Sequence, residues 1–405
     1  VLKHTAGAAV YVFDDRTTPK NLPPATFYVV GIESMSSSNR VTLAVKTLIT
    51  EQTMVIVDES SYIKTYSARR TQRITLLAEP ARYRLLLTGT PVSQGVEDLF
   101  AQMKFLSPKI LGYRSFHSFA RNHLEYSEKY PGRVVRALNT TLLAAKLAPY
   151  TYQVTKAECL DLPAKLYETR YCRLTPGQGE AYAWAKDEIL AQIDDAAEWK
   201  IPYIIFQLFG ALQEIVCGFW NRRDPITRQV EHLQFAQQRL DTLAAVLRDV
   251  PAGEKVIIWS KYHYNIGQIV AALRAEYGDD ATAEFHGRLS ERDRHAELDR
   301  WRANTRFLVA TQAAGGHGLT LNEAGYVVFY SDEFKYSTRL QAEDRCHRIG
   351  QTRPVTYVTL TCSNSIDERI ANALARKANV ADEFRREVAR VKDDRQLVKE
   401  MIQQL

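Results

Sequence analysis

Residues 54–65 read MVIVDESSYIKT. Four apolar residues, Met54 to Val57, run directly into two carboxylates, Asp58 and Glu59. A short apolar run of this kind is the pattern of a strand buried in a parallel sheet. Ligands bind at the carboxyl ends of such strands. An Asp–Glu pair placed there can help to hold Mg2+, often through water, and can orient or deprotonate an attacking water. An exposed acidic turn after a strand gives the same letters. If the stretch belongs to a nucleotide-hydrolysis site, a phosphate-binding loop must be found to go with it.

Outward from this stretch, short apolar runs alternate with helical patterns. AAVYVF (8–13), TFYVVGI (26–32), MVIVD (54–58) and YRLLLTGT (83–90) read as strands, with NRVTLAVKTLIT as a helix among them. That alternation implies an α/β domain with a parallel sheet. From 107 to 235 the chain is rich in helix formers and aromatics, as in EAYAWAKDEILAQIDDAAEWK, and reads as mostly helical, with interruptions near 131–140 and at 160–165. Alternation returns in KVIIWS (255–260), ATAEFH (281–286), RFLVAT (306–311), YVVFYS (326–331) and VTYVTL (355–360), a second α/β domain. The expected division is 1–106, 107–235, 236–370 and a charged helical segment over 371–405. Two sheets of this kind would form a cleft.

The 405 residues carry a net charge of +6, with 45% hydrophobic and 25% charged residues. These values fit a globular protein and are compatible with an anionic partner without requiring one. Five scattered cysteines with no CxxC spacing read as reduced thiols in an intracellular protein without a zinc site. No apolar run approaches the roughly 18 residues of a membrane-spanning helix. No signal-peptide pattern opens the chain.

Three further stretches end strands or follow them. LLLTGTP (85–91) places Thr88, Gly89 and Thr90 at a strand end, which a plain strand–turn–helix junction begun by Pro91 would also do. ATQAAGGHGLTLNEA (310–324) offers Gly315, Gly316 and Gly318 for close backbone approach to a phosphate. QAEDRCHRIGQ (341–351), if helical, puts Gln341, Arg345 and Arg348 on one face and Ala342, Cys346 and Ile349 on a neighbouring apolar one. Two arginines so held could reach a γ-phosphate; a solvated basic face is the alternative.

The order VDE…LLLTGTP…GGHGLTL…QAEDRCHRIGQ resembles motifs II, III, V and VI of the Swi/Snf-type helicase-like ATPases of helicase superfamily two. VSQGVEDLFAQMKFLSP (92–108), LPAKLYETRYCRLTPGQGEAY (162–182), KVIIWSKYH (255–263), FHGRLSERDRHAELDRW (285–301) and SIDERI (365–370) resemble segments between and after those motifs. The resemblance runs from about residue 25 through nearly the whole chain. It implies two RecA-like domains with helical insertions, ATP and Mg2+ as cofactors, and ATP-driven translocation on double-stranded DNA without obligatory strand separation. It implies Mg2+ and water-activating roles for Asp58 and Glu59, and coupling by Thr88, Gly89 and Thr90. Gln341, Arg345 and Arg348 take the motif VI roles, and Gly316, Gly318 and Asp344 the nucleotide contacts. Ser260, Lys261, Gly287, Gly316 and Thr320 fall where the family touches the DNA backbone. The expected protein is a monomer in cytoplasm, nucleoid or nucleus, with the C-terminal helices open to a protein partner. A non-catalytic nucleic-acid-binding module and an RNA helicase are the alternatives.

Two departures stand out. Ser60 and Ser61 replace the family's usual Ala-His, which puts coupling in question, and SDEFKYSTRLQ (331–341) lacks the usual Trp and Asn-Pro. No GxxxxGK(S/T) occurs in the 405 residues, so the phosphate-binding loop and its strand are missing from the first domain as read. A longer gene product, of which this chain is a fragment, a second chain carrying the loop, or a degenerate motor would each explain this, and this chain by itself is expected to turn over ATP weakly or not at all.

Overall fold

The computed structural model describes residues 7–89, 91–92, 95–127, 134–154, 156–197, 200–224, 227–315, 319–376 and 395–405. The chain divides into two compact units, Val1–Val154 and Thr155–Leu405.

Unit one contains three strand pairs: β1 (Val10–Val12) with β2 (Phe27–Val29), β3 (Met54–Val57) with β4 (Tyr83–Leu86), and β5 (Leu124–Tyr126) with β6 (Val134–Ala137). The first two pairs are parallel and the third antiparallel. β3 and β4 are α/β strands as expected, but they are not buried on both faces. Val57 lies in the core with Ile63, Ile74 and Phe105, while Met54 and Ile56 are exposed beside Tyr83 and Leu85. Side chains alternate across a strand, and among the described residues the helices Asn39–Leu48, Arg69–Ala78 and Asp98–Leu106 contribute to a core that takes up only one face.

Unit two is built on a six-stranded parallel sheet ordered β11-β12-β10-β13-β14-β7. Its strands are β7 (Lys165–Cys172), β10 (Lys255–Trp259), β11 (Thr282–Phe285), β12 (Phe307–Ala310), β13 (Ala324–Phe329) and β14 (Val355–Cys362), and β8 (Phe219–Arg223) pairs with β9 (Val230–Gln234) as a separate hairpin. In β10 and β12 the residues Val256–Trp259 and Phe307–Ala310 are wholly buried, as strands covered on both faces must be. Val256, Ile258, Val309 and Val328 pack with the helices Gln238–Asp249 and His263–Tyr277. Ile257, Trp259, Leu308, Val327 and Phe329 pack with Leu298 and Trp301 of helix Glu291–Ala303. A further layer joins helices Pro176–Asp195, Ile201–Val216, Ile366–Ala375 and Arg395–Gln403.

From β10 the chain crosses to β11 and β12 on one side and then to β13 and β14 on the other. The carboxyl end of β10 is therefore a topological switch point, where a crevice opens in sheets of this class. Among the described residues no helix is long and apolar enough to cross a membrane.

Candidate active site

In unit one the chemistry gathers at the carboxyl ends of β3 and β4. Asp58 is exposed and Glu59 half-buried. Glu59 adopts a left-handed backbone, φ 49° and ψ 55°, and its N–H donates to Asp58 Oδ1 at 2.9 Å. A non-glycine residue in that region is strained by roughly 1–2 kcal/mol, so the turn is held by its surroundings. The holding contacts are visible. Leu87 N–H donates to Val57 O and Ser60 N–H donates to Leu87 O, both at 3.0 Å, which carries the β3–β4 ladder past the strand ends. Tyr62 follows on the same short helical turn, Ser60–Ile63. Burial, then the charges of Glu33 and Glu59, push its hydroxyl pKa upward.

Among the described residues no group of three or more His, Cys, Asp or Glu stands together to hold a metal ion. The Asp58–Glu59 pair fits an ion whose other ligands are water and phosphate oxygens, the usual condition of protein-bound Mg2+. Thr88 is half-buried and Gly89 exposed, with open space where a Cβ would stand. Thr90 lies outside the described residues. Pro91 does not begin a helix; the next one starts at Asp98.

In unit two the helix carrying Gln341 spans Tyr336–Glu343 and stops there, so Arg345 and Arg348 do not share a helix face with Gln341. They are brought together in the following turns instead. Arg345 Nη1 and Arg348 Nη1 donate to the same carbonyl, that of Leu319, at 3.4 and 3.0 Å, while Leu321 N–H donates back to Arg345 O at 2.9 Å. Gly350 has φ +97°, a backbone conformation that glycine adopts without strain. Gln351 closes the turn, donating to the carbonyls of Asn322 and Cys346. Ala342 and Cys346 are buried as an apolar face requires, but Ile349 is 72% exposed because the helix has ended. Asp344 pairs with Lys156 at 2.6 Å. Gly316 and Gly318 lie outside the described residues; Thr320 is half-buried and its carbonyl accepts from Arg302.

At the switch point, Ser260 is wholly buried and its hydroxyl contacts Tyr262 O and Ser331 Oγ. That hydroxyl is not presented to a phosphate, contrary to a direct contact through the side chain. Lys261 turns its ammonium onto Gln213 Oε1 at 2.7 Å and over the Phe334 ring at 3.6 Å, and burial lowers its pKa. Gly287 is exposed.

A second group had no signal in the sequence. Arg339, 7% exposed, places Nη1 on both oxygens of Asp332 at 3.0 and 2.8 Å and Nε on Glu343 Oε1 at 3.0 Å. Glu343 Oε2 accepts from Lys165 Nζ at 2.9 Å and Tyr167 OH at 2.8 Å. Burial opposes ionisation of Glu343, but Arg339 and Lys165 overcome it and hold its pKa below the usual value. Gln312, at the end of β12, donates to Asp332. The cage joins the helix before the arginine turns to β7, β12 and β13.

A family profile described as the SNF2-related domain matches residues 9–218, and the helicase conserved C-terminal domain matches residues 238–350. The chain belongs to the SNF2-related family. An "Uncharacterized ATP-dependent helicase" of Mycoplasma pneumoniae is 26% identical over 340 residues, covering 82% of this chain and 30% of the relative. The "ISWI chromatin-remodeling complex ATPase ISW1" of Saccharomyces cerevisiae is 25% identical over 339 residues, covering 80% of this chain and 29% of its own length. This SNF2-related chain thus spans between a fifth and just under half the length of these and other curated relatives it matches. Among solved structures, the Sulfolobus solfataricus SWI2/SNF2 ATPase core in complex with dsDNA is similar at 23% identity and TM-score 0.43, covering 98% of this chain and 80% of that one.

Proposed function

We propose that this chain is the motor portion of an ATP-dependent translocase on double-stranded DNA. The observation that carries the reading is the strained acidic turn at the carboxyl end of β3, stitched by backbone hydrogen bonds to the TGT segment after β4. Its support is the arginine pair gathered on Leu319 O in unit two. A module that only bound nucleic acid would need neither.

In this reading Asp58 and Glu59 hold Mg2+ through water and orient the attacking water, while Arg345 and Arg348 neutralise charge developing on the γ-phosphate. A guanidinium carries five N–H donors, so the bond from Arg348 to Leu319 O aims the group without exhausting it. Gln341, Asp344, Gly316 and Gly318 complete the nucleotide contacts. Thr88, Gly89 and Thr90 pass the state of the nucleotide on to the DNA track. Lys261, Gly287, Thr320 and the backbone at Ser260 meet DNA phosphates. Contacts of that kind ignore sequence, as a motor stepping along any DNA requires. ATP and Mg2+ would supply the reaction, and the chain's residues its positioning.

The absence of GxxxxGK(S/T) from the 405 residues favours a second reading, a DNA-binding module of the same fold that does not turn over ATP. The deciding measurement is ATP hydrolysis by this chain, and by a longer gene product that carries the phosphate-binding loop, with no nucleic acid, with double-stranded DNA and with RNA. Stimulation by DNA above RNA, lost on Arg348→Ala by a factor of about 10³, supports the motor. Binding of DNA without hydrolysis by either protein supports the module, and stimulation by RNA alone overturns both.

A further inference from the structure

The acidic turn, where Ser60-Ser61 replaces the family's Ala-His, is tied to the segment after β4 by a side chain as well as by the Ser60–Leu87 backbone bond. The geometry points to Gln102. This residue sits on helix Asp98–Leu106 and is 1% exposed. Its neighbours Leu99, Phe100, Ala101, Met103 and Phe105 are buried apolar groups, so a carboxamide here is costly unless both of its ends are bonded.

Both ends are bonded. Oε1 accepts from Ser60 Oγ at 2.6 Å, and Ser60 is wholly buried directly after the Asp58–Glu59 pair. Nε2 donates to Pro91 O at 2.7 Å, the last residue of LLLTGTP, and to Asp98 O at 2.8 Å. One planar amide therefore connects the acidic turn with the end of the TGT segment and anchors both to a helix. An amide can do this because it is donor and acceptor together; a leucine or methionine of similar size makes neither bond.

We infer that Gln102 is a positioning residue, relaying displacement of the acidic turn through Ser60 Oγ to Pro91, at the end of the segment after β4. What the relay serves, the coupling of hydrolysis to DNA, rests on the proposed function. The relay itself is a property of unit one and can be tested without nucleotide.

The experiment is hydrogen–deuterium exchange on the full 405-residue chain as wild type, Ser60→Ala, Gln102→Leu and the double variant. It is read over 86–92, with helix Arg69–Ala78 and β10 as internal controls. Gln102→Leu is expected to raise exchange over 86–92 about tenfold, through loss of the one of its three bonds that reaches this segment, that to Pro91 O, with the controls unchanged. Ser60→Ala is expected to raise it too, although among the described residues its hydroxyl meets Gln102 and no side chain of 86–92. The double variant should exceed neither single by a measurable factor. No effect of Ser60→Ala, effects that multiply, or an equal rise in the controls would overturn the relay and leave Gln102 a packing residue.

The same proteins are then assayed for ATP hydrolysis with and without double-stranded DNA. A fall of about tenfold in the stimulation ratio of Gln102→Leu is expected. An unchanged ratio overturns the coupling role while the relay stands on the exchange result. No hydrolysis by any of the proteins, wild type included, overturns the coupling role in this chain, and the exchange pattern still decides the relay.

Discussion

Glu59 shows how a single backbone angle joins chemistry to stability. Its left-handed φ of 49° is a conformation that glycine adopts without strain. Glu59→Gly should therefore stabilise unit one by about 1 kcal/mol while removing the carboxylate that the proposed function assigns to water activation. Urea denaturation read by circular dichroism, set beside ATP hydrolysis, checks both halves. A destabilised variant would mean that the turn is not strained. Glu343 makes the opposite case, a buried carboxylate kept ionised by Arg339 and Lys165. Its pKa is depressed on folding, so its contribution is complete above the unfolded value of 4.5 and is lost as pH falls through the lower, folded value. Glu343→Gln takes one of two carboxylates from buried Arg339 and from half-buried Lys165, which keep Asp332 and Asp344, and should cost about 2–3 kcal/mol at neutral pH. That gap should narrow progressively as both proteins are unfolded at pH values below 4.5, where wild-type Glu343 itself becomes neutral. A gap that stays constant into strong acid would assign the loss to packing instead.

At the scale of elements, β3 and β4 present an apolar face that the described residues leave open: Met54 is 51% exposed, Ile56 47%, Tyr83 54% and Leu87 45%. Exposed apolar sheet faces and strand edges favour self-association. Ile56→Thr combined with Leu85→Thr should shift the stability of unit one by no more than about 1 kcal/mol while reducing light scattering on heating. Increased scattering would show that this face is not what associates. These strands were legible in the sequence because their runs are apolar, yet the letters MVIV cannot say whether one face or both are covered. β10, β12, β13 and β14 read equally well and are covered on both. β7 escaped notice because KLYETRYC mixes polar and aromatic residues, with Leu166, Tyr167 and Tyr171 at least half exposed at the sheet edge. The hairpin of β8 and β9 was lost in a region of helical composition for the same reason. The letters of the arginine turns suggest helix, but what holds the chain out of it after Glu343 is tertiary: the bonds of Arg345 and Arg348 to Leu319 O and the reach of Gln351 to the 322–324 segment. The acidic pair and RCHR could be found from their letters. Gln102 and Arg339 could not, since a Gln–Ser contact 42 residues apart and an Arg–Asp–Glu cage acquire meaning only once the strands are placed.

Over the whole molecule the two units differ in how their cores are made. Unit two has a six-stranded sheet whose central strands are wholly buried and flanked by helices, whereas unit one rests on two-stranded pairs of three or four residues each. Short ladders with one covered face bury less apolar area per residue ordered, so unit one should have the lower stability. The chain carries its own reporter of this difference. All five tryptophans, at 184, 199, 220, 259 and 301, belong to unit two, and Trp259 and Trp301 are fully buried. Tryptophan fluorescence therefore follows unit two alone, while far-ultraviolet circular dichroism follows helices and strands in both. On urea titration the dichroism should begin to fall about 1 M below the fluorescence midpoint, with a plateau or shoulder marking unit one unfolded and unit two intact. Amide exchange should agree, with slower exchange in β10 and β12 than in β3 and β4. Coincident transitions by both probes would mean a single cooperative unit, and the stability of the β3–β4 pair would then have to come from contacts beyond the core of unit one.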